Sequence, residues 1–165
     1  MNKSVAELIA ALAEKGSVLR ELKALCQREQ SCLTALDLAS MDENEEEMAA
    51  AMDRLARLSE RCRQLIGALG SELGLSGNQT LSPVIARLPQ PEQLALREAQ
   101  ATVNADARAL NGLLTMNRGL LEESLKFVQQ SVNFFNRLFN PGDTYGMGGS
   151  LVSRRGGSRF VCKEV

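Results

Sequence analysis

Residues 110–139, LNGLLTMNRGLLEESLKFVQQSVNFFNRLF, decide the fold of this chain. Their apolar side chains recur at steps of three or four residues, which is the spacing of one face of an α-helix. One line on that face consists of Leu110, Leu114, Asn117, Leu121, Leu125, Val128, Val132, Phe135 and Phe139. A second line at seven-residue spacing lies beside it and consists of Leu113, Leu120, Phe127 and Phe134. Two adjacent lines make a face wider than the seam of a two-stranded coiled coil, so the rest of the chain or another protein must cover it.

The composition of the 165-residue chain favours helices and argues against several classes of function. It contains 19 basic and 20 acidic residues, so no net field attracts nucleic acid. It contains no His, which is the commonest general base and the commonest transition-metal ligand. No glycine-rich phosphate loop follows a strand pattern. We therefore expect no enzymatic activity, no cofactor and no metal site.

The cysteines and the hydropathy pattern indicate where the protein resides. Cys26, Cys32, Cys62 and Cys162 form no CxxC pair. Cys26 and Cys62 fall on the apolar lines of their predicted helices, so we expect buried, reduced thiols there. No run of 18 apolar residues occurs, and the first residues do not resemble a signal peptide. These features predict a soluble cytoplasmic protein that does not insert into membranes.

Helix start and stop signals predict three long helices, over residues 4–39, 42–74 and 91–138, and a short helix over residues 83–88. Ser4 with Glu7 has the spacing of a capping box, and Ser82 before Pro83 fits an N-cap and first helical residue. The acidic run DENEEE, residues 42–47, is interpreted as the first turn and a half of the second helix, where carboxylates suit the positive end of the dipole. A site for a cation or a basic partner is the alternative interpretation.

The first two predicted helices carry their own inward-facing lines. In the first helix the line consists of Val5, Leu8, Leu12, Leu19, Leu22, Cys26, Leu33 and Leu36. In the second it consists of Met48, Met52, Leu55, Cys62, Leu65, Ile66, Leu69 and Leu73.

The predicted fold is all-α, an elongated antiparallel three-helix bundle or coiled coil over residues 1–139 with one short extra helix. Residues 140–165 are Gly-rich without helical periodicity, which predicts a flexible C-terminal tail. The tail segment SRRGGSRF, residues 153–160, is basic enough to allow RNA binding, but the balanced charge of the whole chain disfavours it. Because the third helix is longer than the first two, we expect part of its apolar face to remain available to a partner.

The segment LLEESLKFVQQSVNFFNRLF, residues 120–139, is followed by DTYG at residues 143–146. This combination resembles the C-terminal signature of the FlgN family of bacterial flagellar export chaperones. The resemblance implies a cytoplasmic chaperone that binds the helical C-terminal segment of hook-associated (hook–filament junction) proteins. It also implies delivery of that cargo to the export gate and ATPase components. Relatives typically continue Thr-Tyr-Gly with Pro-Asp-Gly, whereas this chain continues with Met147, Gly148 and Gly149.

The resemblance also implies which residues bind partners. The family's cargo-binding helix corresponds here to Leu113, Leu120, Leu121, Phe127, Val128, Phe134, Phe135 and Leu138. Tyr145 corresponds to the tail tyrosine that the family associates with docking at the export gate. The alternative is a self-associating structural or adaptor coiled coil without export cargo. A homodimer through the same face is also compatible with a chaperone that awaits its cargo.

Overall fold

A computed structural model describes residues 2–75, 77, 80–139, 144–145 and 151–152, the last four through their backbone alone. The elements in this part of the chain are α1 (Lys3–Ala35), α2 (Leu38–Glu72), α3 (Leu81–Arg87), α4 (Gln90–Phe139), β1 (Thr144–Tyr145) and β2 (Leu151–Val152). The two short strands pair antiparallel, with Thr144 opposite Val152 and Tyr145 opposite Leu151. The prediction of an all-α bundle with three long helices and one short helix is confirmed. The predicted flexibility of the tail concerns residues that for the most part lie outside the described ones.

The chain divides by its internal contacts into two compact units, Met1–Leu120 and Leu121–Val165. The helix α4 contributes to both units, because it is continuous from Gln90 to Phe139. The division of the sequence into a helical domain over residues 1–139 and a tail over residues 140–165 follows the change of composition and stays a prediction.

The helices α1 and α2 run antiparallel. Arg28, late in α1, pairs with Glu47, early in α2, at 3.2 Å. Ser4, at the start of α1, donates a hydrogen bond of 2.9 Å to the carboxylate of Glu72, at the end of α2. Exposed polar contacts of this kind stabilise a protein little, but they establish the alignment of the two helices.

Within the first unit, α4 runs parallel to α1. The backbone N–H of Asn2 donates to the Glu92 carboxylate at 2.6 Å, and Arg20 pairs with Asp106 at 2.8 Å. Because residue numbers rise together along the two helices, α1, α2 and α4 form an up-down-up bundle. Three buried residues of α3, Leu81, Val84 and Ile85, join the same core.

The core of the first unit consists of apolar side chains that repeat at seven-residue spacing. They include Val5, Leu12, Leu19 and Cys26 from α1, the pairs Ala51/Leu58 and Cys62/Leu69 from α2, and Leu96, Val103 and Leu110 from α4. Cys26 and Cys62 are buried free thiols, as the pattern predicts. Burial raises the pKa of both thiols, because the thiolate is poorly solvated there.

The turn between α1 and α2 lies four residues earlier than the sequence pattern predicts. Leu36 adopts a left-handed conformation with φ of 56°, although glycine is the usual residue for it. The Asp37 N–H donates to the Cys32 carbonyl at 3.0 Å, and the Leu36 N–H donates to the Leu33 carbonyl at 3.4 Å. These two bonds are those of a Schellman motif, which ends α1 at Ala35.

Asp37 then caps α2, because its side chain accepts a hydrogen bond from the Ser40 N–H at 3.2 Å. Hydrogen bonds from the side chain and the backbone of Ser40 lower the pKa of the Asp37 carboxyl. The prediction for the acidic run is therefore wrong in one respect. Residues 42–47 lie beyond the first turn of α2, and Asp37 supplies the negative charge at its positive end.

Four further predictions about single residues are corrected. The N-cap of α1 is Asn2, whose side chain accepts from the Ser4 N–H at 3.0 Å, so Ser4 lies inside the helix and forms no capping box with Glu7. The N-cap of α3 is Thr80 rather than Ser82, and its side chain makes no capping hydrogen bond. Leu36, at the left-handed turn after α1, is 82% exposed, and Met52 is half exposed rather than inward-facing.

Candidate partner-binding surface

The candidate surface is the apolar face of α4 in the second unit, residues 121–139. In this part of the helix every large apolar side chain is exposed. Phe127 is 70% exposed, Phe134 is 61% exposed and Phe139 is 64% exposed. Isolated exposed apolar residues are ordinary on protein surfaces, but a contiguous face of them marks an interaction site.

The same helix is partly buried in the first unit. Its four buried residues are Leu96, Val103, Leu110 and Asn117, each seven residues after the one before. We call these four residues the buried line of α4. Burial in α4 therefore ends at Asn117, and the exposed face begins within one helical turn of it.

The predicted binding residues fall into three groups. Leu113 is half-buried and packs against the core, and Leu120 is half-buried as well. Leu121, Phe127, Val128, Phe134, Phe135 and Leu138 are exposed on α4. The side chain of Tyr145 lies outside the described part of the structure, although its backbone forms β1.

The aromatic residues near the end of α4 contact one another along the helix. Phe134 and Phe135 meet edge to face with ring centroids 5.6 Å apart, and Phe135 and Phe139 stack at 6.2 Å with an interplanar angle of 13°. A surface cavity of about 320 Å³ lies among Val132, Phe135, Asn136 and Phe139. These four residues have the i, i+3, i+4, i+7 spacing of the hole that receives one side chain of a facing helix.

Two buried asparagines connect α2 and α4 to α1, and sequence reasoning assigned no role to either. Asn44 Nδ2 donates to the Leu25 carbonyl at 3.1 Å. Asn117 Nδ2 donates to the Cys26 carbonyl and to Glu29 Oε2, both at 2.7 Å. Neither Oδ1 has a partner among the described residues. The heptad spacing could have indicated that both are buried, because each asparagine lies seven residues from a buried apolar residue of its own helix.

A groove of about 390 Å³ lies between α1 and α4 in the first unit. Its lining consists of Ile9, Leu12, Ala13, Gly16, Arg20, Ala95, Glu98, Ala99, Thr102 and Val103. Four of these ten residues are alanine or glycine and two are charged, so the groove offers a partner less apolar area than the exposed phenylalanines of residues 121–139 do. We therefore take the face of residues 121–139 as the candidate site.

No three His, Cys, Asp or Glu side chains in the described part of the chain converge in a way that could hold a metal ion. No helix of the described residues has both the length and the apolar character needed to cross a bilayer.

Comparison with known proteins gives one family. The sequence model of the family described as FlgN protein matches residues 1–153. Searches of curated proteins and of solved structures gave no match. The family match extends over both units, so it covers the bundle as well as the candidate surface.

Proposed function

The chain belongs to the FlgN family of flagellar export chaperones, and from this premise we propose which cargo it binds and how. The proposed cargo is the helical C-terminal segment of hook-associated proteins, bound in the cytoplasm before export. The chaperone keeps that segment from assembling early and delivers it to the export gate. The binding surface in this proposal is the exposed apolar face of residues 121–139.

One observation carries the proposal, the exposure of the phenylalanines on that face. Phe127 and Phe134 are more than half exposed, although burying one such side chain is worth about 1.5–3 kcal/mol. An amphipathic cargo helix that lays its apolar side along α4 would remove these side chains from water. The same cover would shield the apolar side of the cargo, which is how a chaperone prevents premature assembly.

The test replaces Phe127 and Phe134 together by serine in the full-length chain. The chain is co-expressed with the hook-associated proteins of the same bacterium, and capture and affinity are measured. Loss of two buried aromatic contacts, about 3 kcal/mol in total, predicts a loss of affinity of about 100-fold or more. The circular dichroism spectrum should stay unchanged, because both side chains lie on the surface.

A matched control places the same two serines on the opposite side of α4. Gln130→Ser with Asn133→Ser changes exposed residues of the same helix outside the apolar face, and it should bind cargo like the unmodified chain. Capture that survives the phenylalanine substitutions would refute the assignment of the site.

Self-association through the same face is the second candidate function, and the same exposed side chains favour it. Sedimentation of the purified chain without cargo distinguishes the two functions. A stable dimer that the double phenylalanine variant abolishes, together with a failure to capture any hook-associated protein, would replace the chaperone proposal by a structural one.

Tyr145 is assigned to docking at the export gate, as the family resemblance implies. Its backbone lies in β1, six residues beyond the end of α4. This part of the proposal concerns secretion rather than cargo affinity, so it is tested separately.

A further inference from the structure

A row of charged residues joins α1 to α2 on the surface of the first unit. Along each helix its members follow at steps of three and then four residues. They are Glu14, Ser17 and Glu21 in α1, and Arg54, Arg57 and Arg61 in α2. Because the helices run antiparallel, the outer members form two ion pairs between them, Glu21 with Arg54, and Glu14 with Arg61 at 3.6 Å. We call these two ion pairs the outer pairs, and Ser17 with Arg57 the middle pair.

The middle pair lacks the carboxylate that both outer pairs have. Arg57 forms no ion pair and no side-chain hydrogen bond within the described part of the chain. Glu60, one turn later in α2, pairs with Arg63 instead. The Ser17 hydroxyl also has no hydrogen-bond partner among the residues that the structure describes. One guanidinium charge and one hydroxyl therefore remain available between the outer pairs.

The middle pair lines a surface cavity of about 370 Å³. The rest of its lining consists of the outer pairs and two buried apolar residues, Val18 and Leu58. Three arginines against two glutamates give this lining a net charge of +1, whereas the whole chain has a net charge of −1. The planar guanidinium group carries N–H donors in a fork that matches the two oxygens of a carboxylate. The cavity thus has the space, the charge and the donors to bind one carboxylate.

We propose that the middle pair binds a glutamate or aspartate side chain of a partner protein. The incoming carboxylate accepts hydrogen bonds from the Arg57 guanidinium and the Ser17 hydroxyl, and so supplies the missing acidic member of the row. The outer pairs on either side are already neutral. A helical partner segment therefore carries one acidic residue with uncharged residues one turn before and one turn after it, because a further charge there would find no free counter-charge.

The neighbours of Arg57 also exclude other kinds of anion as the preferred ligand. A phosphate carries nearly two negative charges and would lie beside the carboxylates of Glu14 and Glu21, which repel it more than they repel a single carboxylate. A free small carboxylate would form only one partly exposed ion pair, which stabilises a complex little. A carboxylate carried by a protein segment adds the contacts of that segment with α1 and α2.

This site is independent of the proposed cargo-binding surface. It consists of residues of α1 and α2 in the first unit, whereas the proposed cargo binds residues 121–139 of α4. The double substitution of Phe127 and Phe134 by serine should therefore leave it unchanged. Failure of the proposed function and failure of this inference can thus be told apart.

The test uses two synthetic helical peptides and the full-length chain. Both peptides are alanine-rich and blocked at their ends, and they differ only in a central residue, which is glutamate in one and glutamine in the other. In nuclear magnetic resonance titrations, the glutamate peptide should shift the Arg57 Nε–Hε signal to saturation. Its affinity should exceed that of the glutamine peptide about 10-fold or more, because hydrogen bonds between two charged groups are the stronger ones.

Substitutions in the middle pair identify the site. Arg57→Gln removes the charge, and Ser17→Glu supplies a carboxylate from the chain itself, so each should weaken binding of the glutamate peptide about 10-fold or more. Ser17→Ala removes one hydroxyl donor and should bind within about threefold of the unmodified chain. These affinities are followed through the backbone N–H signals of the cavity residues, and circular dichroism verifies that the helices are retained.

Thermal unfolding provides a second measurement without a peptide. Ser17→Glu should melt about 1–3 °C higher than Ser17→Gln, because only the glutamate can pair with Arg57. Equal melting temperatures would show that a carboxylate at position 17 does not reach Arg57, and the proposal would fall.

Three results of the titrations would also overturn the proposal. They are equal affinity for the two peptides, undiminished binding by Ser17→Glu or Arg57→Gln, and absence of any shift with the glutamate peptide. A shift of the Arg57 signal with the concentration of the chain alone would identify a second copy as the occupant instead of a separate partner.

Discussion

Two helix ends in the bundle use the same backbone motif with different residues. Leu36 follows α1 with φ of 56°, and Gly74 follows α2 with φ of 71°. At the second end, the Leu75 N–H donates to the Gly70 carbonyl at 2.9 Å, and the Gly74 N–H donates to the Ser71 carbonyl at 3.1 Å. Both ends are Schellman motifs, but only the second has the residue that adopts the left-handed conformation without steric cost.

This difference predicts opposite effects of two substitutions. Leu36→Gly should raise the free energy of unfolding by about 1 kcal/mol, because it relieves a strained backbone while the exposed leucine loses little contact. Gly74→Ala should lower it by about 1 kcal/mol, since a Cβ there meets no atom within 4 Å and only the backbone conformation is penalised. Urea denaturation followed by circular dichroism measures both values.

The control is Gly67→Ala in the interior of α2. A Cβ at Gly67 also meets nothing within 4 Å, but this backbone is helical, so alanine should stabilise by up to about 1 kcal/mol. If Gly67→Ala and Gly74→Ala shifted stability in the same direction, the conformational explanation would be wrong.

At the scale of a single element, α4 is buried in one part and exposed in the other. Its buried line packs into the core as far as Asn117, and the large apolar side chains from Leu121 onward are exposed. Asn117 is the last buried side chain of the helix, and its amide group is bonded to two groups of α1. We interpret it as the residue that fixes the alignment of α4 against α1, because a buried polar group tolerates few alternative alignments.

Asn117→Asp tests this interpretation with almost no change of shape. The carboxylate can donate to neither the Cys26 carbonyl nor Glu29, and it lies buried beside the Glu29 carboxylate. We expect a loss of about 3 kcal/mol or more in the free energy of unfolding at neutral pH, as for other uncompensated buried charges. Asn111→Asp makes the same change at an exposed position of α4, and it should cost less than about 0.5 kcal/mol. Equal losses of unfolding free energy in both variants would show that the buried amide of Asn117 stabilises the protein no more than the exposed amide of Asn111.

At the scale of the whole molecule, stability and proposed binding are assigned to different units. Among the described residues, every buried side chain lies within Met1–Leu120, and the exposed phenylalanines all lie in Leu121–Val165. A chaperone benefits from this arrangement, since the face that must stay open to cargo does not have to hold the bundle together.

Two truncations test this division. A chain of residues 1–120 should unfold cooperatively, with a melting temperature within a few degrees of that of the full chain, because it retains the complete core. It should not capture cargo. A chain of residues 1–139 should fold and capture cargo but fail to support its secretion, because it lacks Tyr145. Thermal unfolding, pull-down and a secretion assay measure the three properties.

Each result bears on one part of the interpretation. Loss of cooperative unfolding in residues 1–120 would show that the second unit contributes to the core. Normal secretion with residues 1–139 would remove Tyr145 from the docking step.

The sequence predicted the parts of this protein that depend on local periodicity. The helical phase of residues 110–139, the helical class of the fold and the burial of Cys26 and Cys62 all follow from spacing, because helix geometry fixes which side chains share a face. The segment at residues 120–139 with the Thr-Tyr-Gly that follows it also indicated the family. The caps were predicted less well, since Asn2, Asp37 and Thr80 compete with nearby residues of similar capping propensity.

Only the tertiary structure decided where the apolar face of α4 stops being covered. Leu110 and Phe135 belong to one apolar line in the sequence, yet Leu110 is buried and Phe135 is half exposed. Periodicity states which residues point in one direction, whereas burial depends on which other helix lies there. That is decided by contacts between residues far apart in the chain, such as that between Asn117 and Cys26. The turn at Leu36 was likewise decided by backbone hydrogen bonds that the residues of the turn do not predict.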